Sequence, residues 1–227
     1  MASQGSLRTV PAGWDIELED DYPSHIKADV TSTSAFYAAY GDTLYALDST
    51  QKTPIAQASF DADILGVEVT SDTVWVLSQK SVTPLAPKTL TPLASALEGL
   101  CGTGISLSQG EGWLWITDVG GCLTRLDPKG RTLDTKTIDL NNRPGAPATT
   151  NYRPHAPTFA KGVGYAVAKT TEVVAFDPQT MEEIARRNAL ETTPPAAMPQ
   201  AVDAAQGGVV VAKDGEVVVL KEQCPCL

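Results

Sequence analysis

The stretch DLNNRPGAPATTNYRPHAP, from Asp139 to Pro157, concentrates polar and aromatic side chains that could recognise another molecule. Asn141, Asn142 and Asn151 each offer both donors and acceptors, and Arg143 and Arg153 supply planar cationic forks. Tyr152 adds an aromatic face with a hydroxyl, and His155 an imidazole. Such a set suits binding rather than bond-making. Loops of this length are often functional, and the plainer alternative is a Pro-rich surface excursion.

Chemistry beyond binding has little to work with. His25 and His155 are the chain's two histidines, too few for a histidine-rich metal centre. No GxSxG elbow, P-loop or HExxH is present. No catalytic residue, metal ligand or cofactor is therefore assigned. Asp15, Glu17, Glu19, Asp20 and Asp21 cluster near the start but lack the Asp-x-Asp-x-Asp-Gly pattern of a calcium loop, and strand alternation splays their carboxylates. They read as a solvated strand. Trp75, Trp113 and Trp115 lie on apolar runs and read as packing residues rather than as a sugar platform.

The cysteines leave two readings open. Cys101, Cys122, Cys224 and Cys226 lack the paired CxxC spacing of a zinc site. They are either free thiols of a reducing compartment, or they include a Cys101–Cys122 disulfide of an exported protein. Low Lys with abundant Thr, Ser and Pro tilts the composition towards export. A reduced Cys101 and Cys122 would read as two packed thiols rather than a redox centre. Cys224 and Cys226, in the terminal CPC, sit too close together for comfortable bonding to one another. An intermolecular bridge, an anchor to a further segment or a disordered end all fit them.

Composition bounds the rest. Of 227 residues, 42% are hydrophobic and 19% charged, which suits a globular domain with a sizeable core. The net charge of -10, with scattered Lys and Arg, excludes the basic footprint of a nucleic-acid binder. Apolar runs such as 208–212 and 217–220 break after about five residues, where a membrane helix needs roughly 20, so no transmembrane segment is expected. The opening MASQGSLRTV has no long apolar stretch and is not itself a signal peptide. It suits either a mature start or an arbitrary boundary, with a targeting segment or anchor already removed.

What must position these residues is a repeat. AFYAAYGDTLYALD from Ala35, GWLWITDVGGCLTRLDPKGRT from Gly112, GVGYAVAKTTEVVAFDPQTME from Gly162 and GVVVAKDGEVVVLK from Gly208 share one grammar. Each is an apolar strand, a tight turn and a second strand. DTVWVLSQKSVTPLAPKTLT from Asp72 fits more loosely. The second strands end at Asp48, Ala86, Asp127, Asp177 and Lys221, with separations of 38, 41, 50 and 44. That spacing matches a propeller blade of about 40 to 45 residues. Innermost strands are expected at 28–33, 64–70, 103–108, 156–161 and 200–205.

Asp127-Pro128 and Asp177-Pro178 join a carboxylate for local N–H groups to a preset φ, which makes a second turn. The alternating WDIELED, Trp14 to Asp20, belongs to no repeat and is expected to close the ring as the outer strand of the last unit. TMEEIARRNAL, Thr180 to Leu190, has i,i+4 pairs that suit a helix, but its place in the repeat favours an outer strand. The reading is an all-β propeller of about five four-stranded blades in a single domain. Residues 1–27 form the closing strand and linker, 28–223 the blades and 224–227 a tail.

LDPKGRTL and FDPQTMEEI resemble repeats of the YVTN, NHL and quinoprotein-like propeller superfamily. The resemblance covers Asp29 to Glu222, and Ala86-Pro87 departs from its Asp-Pro. It implies that the loops entering innermost strands and the hairpins after second strands share one binding face. The Asn141 to His155 loop, Cys101 and Cys122 would then lie at that face. The expectation is a non-enzymatic binding or scaffolding protein, extracytoplasmic, with a protein partner. A lectin-like carbohydrate or small-molecule binder is the alternative, and a lyase, lactonase or quinoprotein-type enzyme at the channel mouth is another.

Overall fold

The computed structural model describes residues 6–8, 15–17, 25–28, 35–48, 54–141, 155–168, 172–188, 201–205, 208–213 and 216–221. They are all-β, and they fall into two compact units, 1–99 and 100–227.

In the first unit, β1 (Ser6–Arg8) and β2 (Asp15–Glu17) form a two-stranded hairpin. Sheet 1 runs in chain order through β3 (His25–Ala28), β4 (Ala35–Tyr40), β5 (Thr43–Asp48) and β6 (Ala56–Ser59). Sheet 2 follows as β7 (Ile64–Val69), β8 (Val74–Ser78), β9 (Ser81–Leu85) and β10 (Leu97–Glu98). In the second unit, sheet 3 holds β11 (Gly104–Gly110), β12 (Trp113–Asp118), β13 (Cys122–Asp127) and β14 (Thr132–Asp139). Sheet 4 holds β15 (Thr158–Ala160), β16 (Val163–Val167), β17 (Glu172–Asp177) and β18 (Glu182–Asn188). Sheet 5 has three strands, β19 (Ala201–Ala205), β20 (Gly208–Lys213) and β21 (Glu216–Lys221).

Every sheet is an antiparallel meander, as the repeat predicts, and within 180–190 the described Glu182–Asn188 is a strand rather than a helix. Four of the five innermost strands fall where expected, and the first is β3 at His25–Ala28, earlier than 28–33. The closing strand is a correction. Within Trp14 to Asp20, the described Asp15–Glu17 pairs with Ser6–Arg8, not with β21, so sheet 5 has three strands among the described residues. Pairing across a short loop costs far less closure entropy than pairing across most of the chain.

The burial pattern explains the apolar runs. In β8 all five residues are buried, and in β12 all but Trp113; one face of each packs on another sheet of its unit, through Val74 and Val76 of β8 and Trp115 of β12. Outer strands β6 and β14 alternate or face water instead. One cluster in the first unit joins Tyr37 and Leu44 of sheet 1 to Ile64, Val67 and Val76 of sheet 2. A second, in the other unit, stacks Trp115 of sheet 3 on Phe159 and Phe176 of sheet 4, with ring centroids 5.3 and 5.2 Å away.

Turn chemistry repeats with the sheets. Asp127 Oδ1 accepts the N–H of Lys129, and Asp177 Oδ1 those of Gln179 and Thr180. Arg131 and Met181 close these turns at φ 52° and 58°. Sheet 2 makes the same turn without the aspartate. Leu90 takes φ 53° and donates its N–H to Ala86 O at 2.9 Å, as Met181 does to Asp177 O at 3.0 Å. The Ala86-Pro87 departure therefore changes the turn's side-chain support and leaves its backbone path intact.

Gly164 pairs with Phe176, and the tip of that ring lies over the glycine. A Cβ at residue 164 would overlap Phe176 Cζ. The change Gly164→Ala should lower unfolding free energy by about 1–3 kcal/mol, the usual cost of overpacking. The urea midpoint measures it, and an unchanged midpoint would show that the ring can move aside.

Candidate functional site at the root of the 139–157 loop

The β12–β13 hairpin turns at Val119, Gly120 and Gly121, and three bonds fix its shape. Gly121 N–H donates to Asp118 O at 3.0 Å, Val119 N–H to Thr103 O at 2.9 Å and Cys122 N–H to Asp118 Oδ1 at 3.1 Å. Cys101 and Cys122 form a disulfide, with Cα atoms 6.1 Å apart and 21 residues between them in sequence number. It joins the segment before β11 to the start of β13, across β12. A loop of this length corresponds to about 3 kcal/mol of stabilisation in the chain-entropy account.

Two glycines allow the approach. A Cβ on Gly102 would lie 2.5 Å from the Gly120 backbone nitrogen. One on Gly120 would lie 3.0 Å from Asp118 Oδ1 and 3.2 Å from Cys101 Cβ. The segment before β11 and the β12–β13 turn thus touch backbone to backbone.

The start of the long loop is fastened to this corner. Asp139 pairs with Cys122 across the β13–β14 ladder, and Leu140 N–H donates to Gly121 O at 2.6 Å. The Asn141 amide nitrogen Nδ2 donates to Gly120 O at 3.1 Å and to Asp139 Oδ1 at 2.8 Å, and its backbone N–H reaches that Oδ1 at 2.7 Å. Arg186, from β18 of sheet 4, donates to the carbonyls of Asn141 and Asp139.

The Arg186 side chain is only 6% exposed, with Glu183 at 2.8 Å and Glu172 at 3.5 Å. Burial works against its charge, but Glu183 and then Glu172 more than offset this and hold the guanidinium protonated. A second arginine joins the same two sheets. Arg125 lies 4.1 Å above the Trp113 ring, pairs with Asp134 and donates at 2.7 Å to the carbonyls of Pro178 and Gln179.

Of the residues the sequence singles out, Cys101, Cys122 and Asn141 come together here. His155 is half-buried just before β15. Asn142, Arg143, Asn151, Tyr152 and Arg153 lie outside the described residues, as do Cys224 and Cys226. Sequence reasoning missed Asp118 and Arg186. Asp118 stands directly before the turn, and its signal is a carboxylate ending an apolar strand, WLWITD. The Arg186 signal is its i,i+4 spacing from Glu182, which would suit a helix, whereas on β18 its partner is Glu183. Side-chain atoms of Cys101, Asp118 and Cys122 that could ligate a metal lie within 4.8 Å of one another.

No protein-family model matches the chain, and no curated protein does. Solved structures do: 1367 chains match, so the architecture is shared too widely to select a function. One is the computationally designed Ika8 protein, 13% identical, with a TM-score of 0.70 over 97% of this chain. The chain spans 65% of that protein's length. At this identity the likeness is one of fold. Among the described residues, no helix is long and apolar enough to cross a membrane.

Acid should loosen the far end of these strands, at the Asp-Pro turn after β17 and the start of β14. The backbone N–H groups of Thr180 and Gln179 hold the Asp177 carboxyl below its ordinary value, and the N–H of Lys136, followed by Arg125, does so for Asp134. A depressed folded pKa adds stability above the unfolded value and loses it as pH falls through the folded one. The urea midpoint should hold steady down to about pH 5 and fall below about pH 4. The double change Asp134→Asn and Asp177→Asn should flatten that fall, and an identical profile would remove these carboxylates from the account.

Proposed function

We propose that this chain is a non-enzymatic binding or scaffolding β-propeller of about five blades. It works in an extracytoplasmic compartment and engages a protein partner through the loop from Asn141 to His155. The carrying observation is the fixed root of that loop: a disulfide, Asn141 and a buried arginine converge on its first residues. A rigid root lowers the entropy lost when a loop takes up a partner. The loop's Arg143, Tyr152 and Arg153 then supply guanidinium and aromatic groups of the kind enriched at protein interfaces, and Asn142, Asn151 and His155 add hydrogen-bonding groups.

The propeller reading is supported by successive meanders whose innermost strands are neighbours within each unit, β7 beside β3 and β19 beside β15. We read the Asp-Pro turns as those of the YVTN, NHL and quinoprotein-like repeat. The disulfide suits an oxidising compartment.

A photo-crosslinking residue at Tyr152 should capture one protein from the native source, and the same residue at Lys129 should not. Combining Arg143→Glu with Arg153→Glu should reduce that capture at least tenfold at an unchanged melting temperature. Equal capture from both positions, or capture that survives charge reversal, would contradict the loop as the interface.

A further inference from the structure

The corner that anchors the loop holds a group its structural role leaves unused. Asp118 is fully buried, and only one of its oxygens is engaged: Oδ1 accepts the Cys122 N–H, while Oδ2 has no hydrogen-bond partner. An uncompensated carboxylate oxygen in a buried site is costly, and such sites commonly serve a ligand. Beside it are two sulfurs, Cys101 exposed and Cys122 half-buried. The space between Asp118 and Cys101 is open to this approach because residue 120 is glycine and carries no Cβ there.

We propose that reduction of the Cys101–Cys122 bond turns this corner into a site for a soft divalent cation of the zinc class. Its ligands are Sγ of Cys101, Sγ of Cys122 and a carboxylate oxygen of Asp118. The reductant is a dithiol. Its sulfurs join as a disulfide, and the Cys101–Cys122 bond breaks as each cysteine sulfur gains one electron and one proton. The cation then displaces both thiol protons and binds two thiolates, with Asp118 as the third donor.

The spacing suits this chemistry. Zinc binds thiolate sulfur at about 2.3 Å and carboxylate oxygen at about 2.0–2.2 Å, so tetrahedral ligand atoms stand roughly 3.5–3.8 Å apart. The three donor atoms already lie within 4.8 Å of one another, on a backbone whose cysteine Cα atoms are 6.1 Å apart. The two thiolates part by a side-chain rotation, and the carboxylate moves little. Two thiolates select zinc, cobalt or cadmium over magnesium and calcium. Cys101 faces solvent, so the fourth position is open to water or an outside donor. The site stands independently of the partner-binding reading.

The test uses the full chain carrying Cys224→Ser and Cys226→Ser, so that the terminal thiols cannot contribute. After reduction with a phosphine and removal of excess reagent without air, the protein is titrated with cobalt(II). One cobalt per chain is expected, with a thiolate-to-metal charge-transfer band and the strong visible bands of a tetrahedral ion. Zinc should displace it, the oxidised protein should show neither band, and Asp118→Asn should bind at least tenfold more weakly. If reduction unfolds the chain, stoichiometric cobalt should restore the β-sheet circular dichroism spectrum. A folded, reduced protein without these bands, an unfolded one that cobalt does not restore, or Asp118→Asn binding as tightly as the parent would each overturn the proposal.

Discussion

A guanidinium cannot remain 6% exposed without partners, and that constraint on Arg186 organises the second unit. Two glutamates from sheet 4 balance its charge, and its remaining donors reach across to carbonyls of sheet 3. Those carbonyls belong to Asp139 and Asn141, where β14 gives way to the long loop. Sheet packing and loop placement thus share this side chain. Arg125 does parallel work elsewhere on the same pair of sheets, with Trp113 covering its face and the Pro178 turn receiving its donors.

The disulfide acts at the other side of the same root. It fixes the segment before β11 against the β12–β13 turn, and the turn in turn holds Leu140 and Asn141 through Gly121 and Gly120. Between them, the sulfur bridge and the arginine hold the loop's first residues from two directions. Below this corner, Trp115, Phe159 and Phe176 supply the apolar contact that neither polar device could replace.

Much of the fold was legible because its signals are local. Asp-Pro turns and tight turns between apolar strands each report on a few neighbouring residues, and the spacing near 40 residues counts how often that local pattern recurs. The 180–190 segment shows where local signals mislead: Glu and Arg at i,i+4 suit a helix, yet pairing with β17 makes a strand. The N-terminal strand shows the reverse. WDIELED alternates as a strand should, and Asp15–Glu17 is one, but alternation says nothing of the partner, and Ser6–Arg8 took that place. At the site, Cys101 and Cys122 could be placed at one end from repeat position together with what the propeller resemblance implies. Arg186 and Asp118 could not be assigned their roles, because their partners are backbone carbonyls and a turn that come together only in three dimensions.

The central claim is that the Cys101–Cys122 bond holds the root of the long loop locally. Amide hydrogen exchange measured residue by residue, before and after reduction, tests it most directly. Protection should fall at least tenfold at Val119, Leu140 and Asn141, whose N–H groups bond at this corner. Ile116, in the middle of β12, should keep its protection. Unchanged exchange at Leu140 and Asn141, or an equal loss throughout β11–β14, would contradict the account.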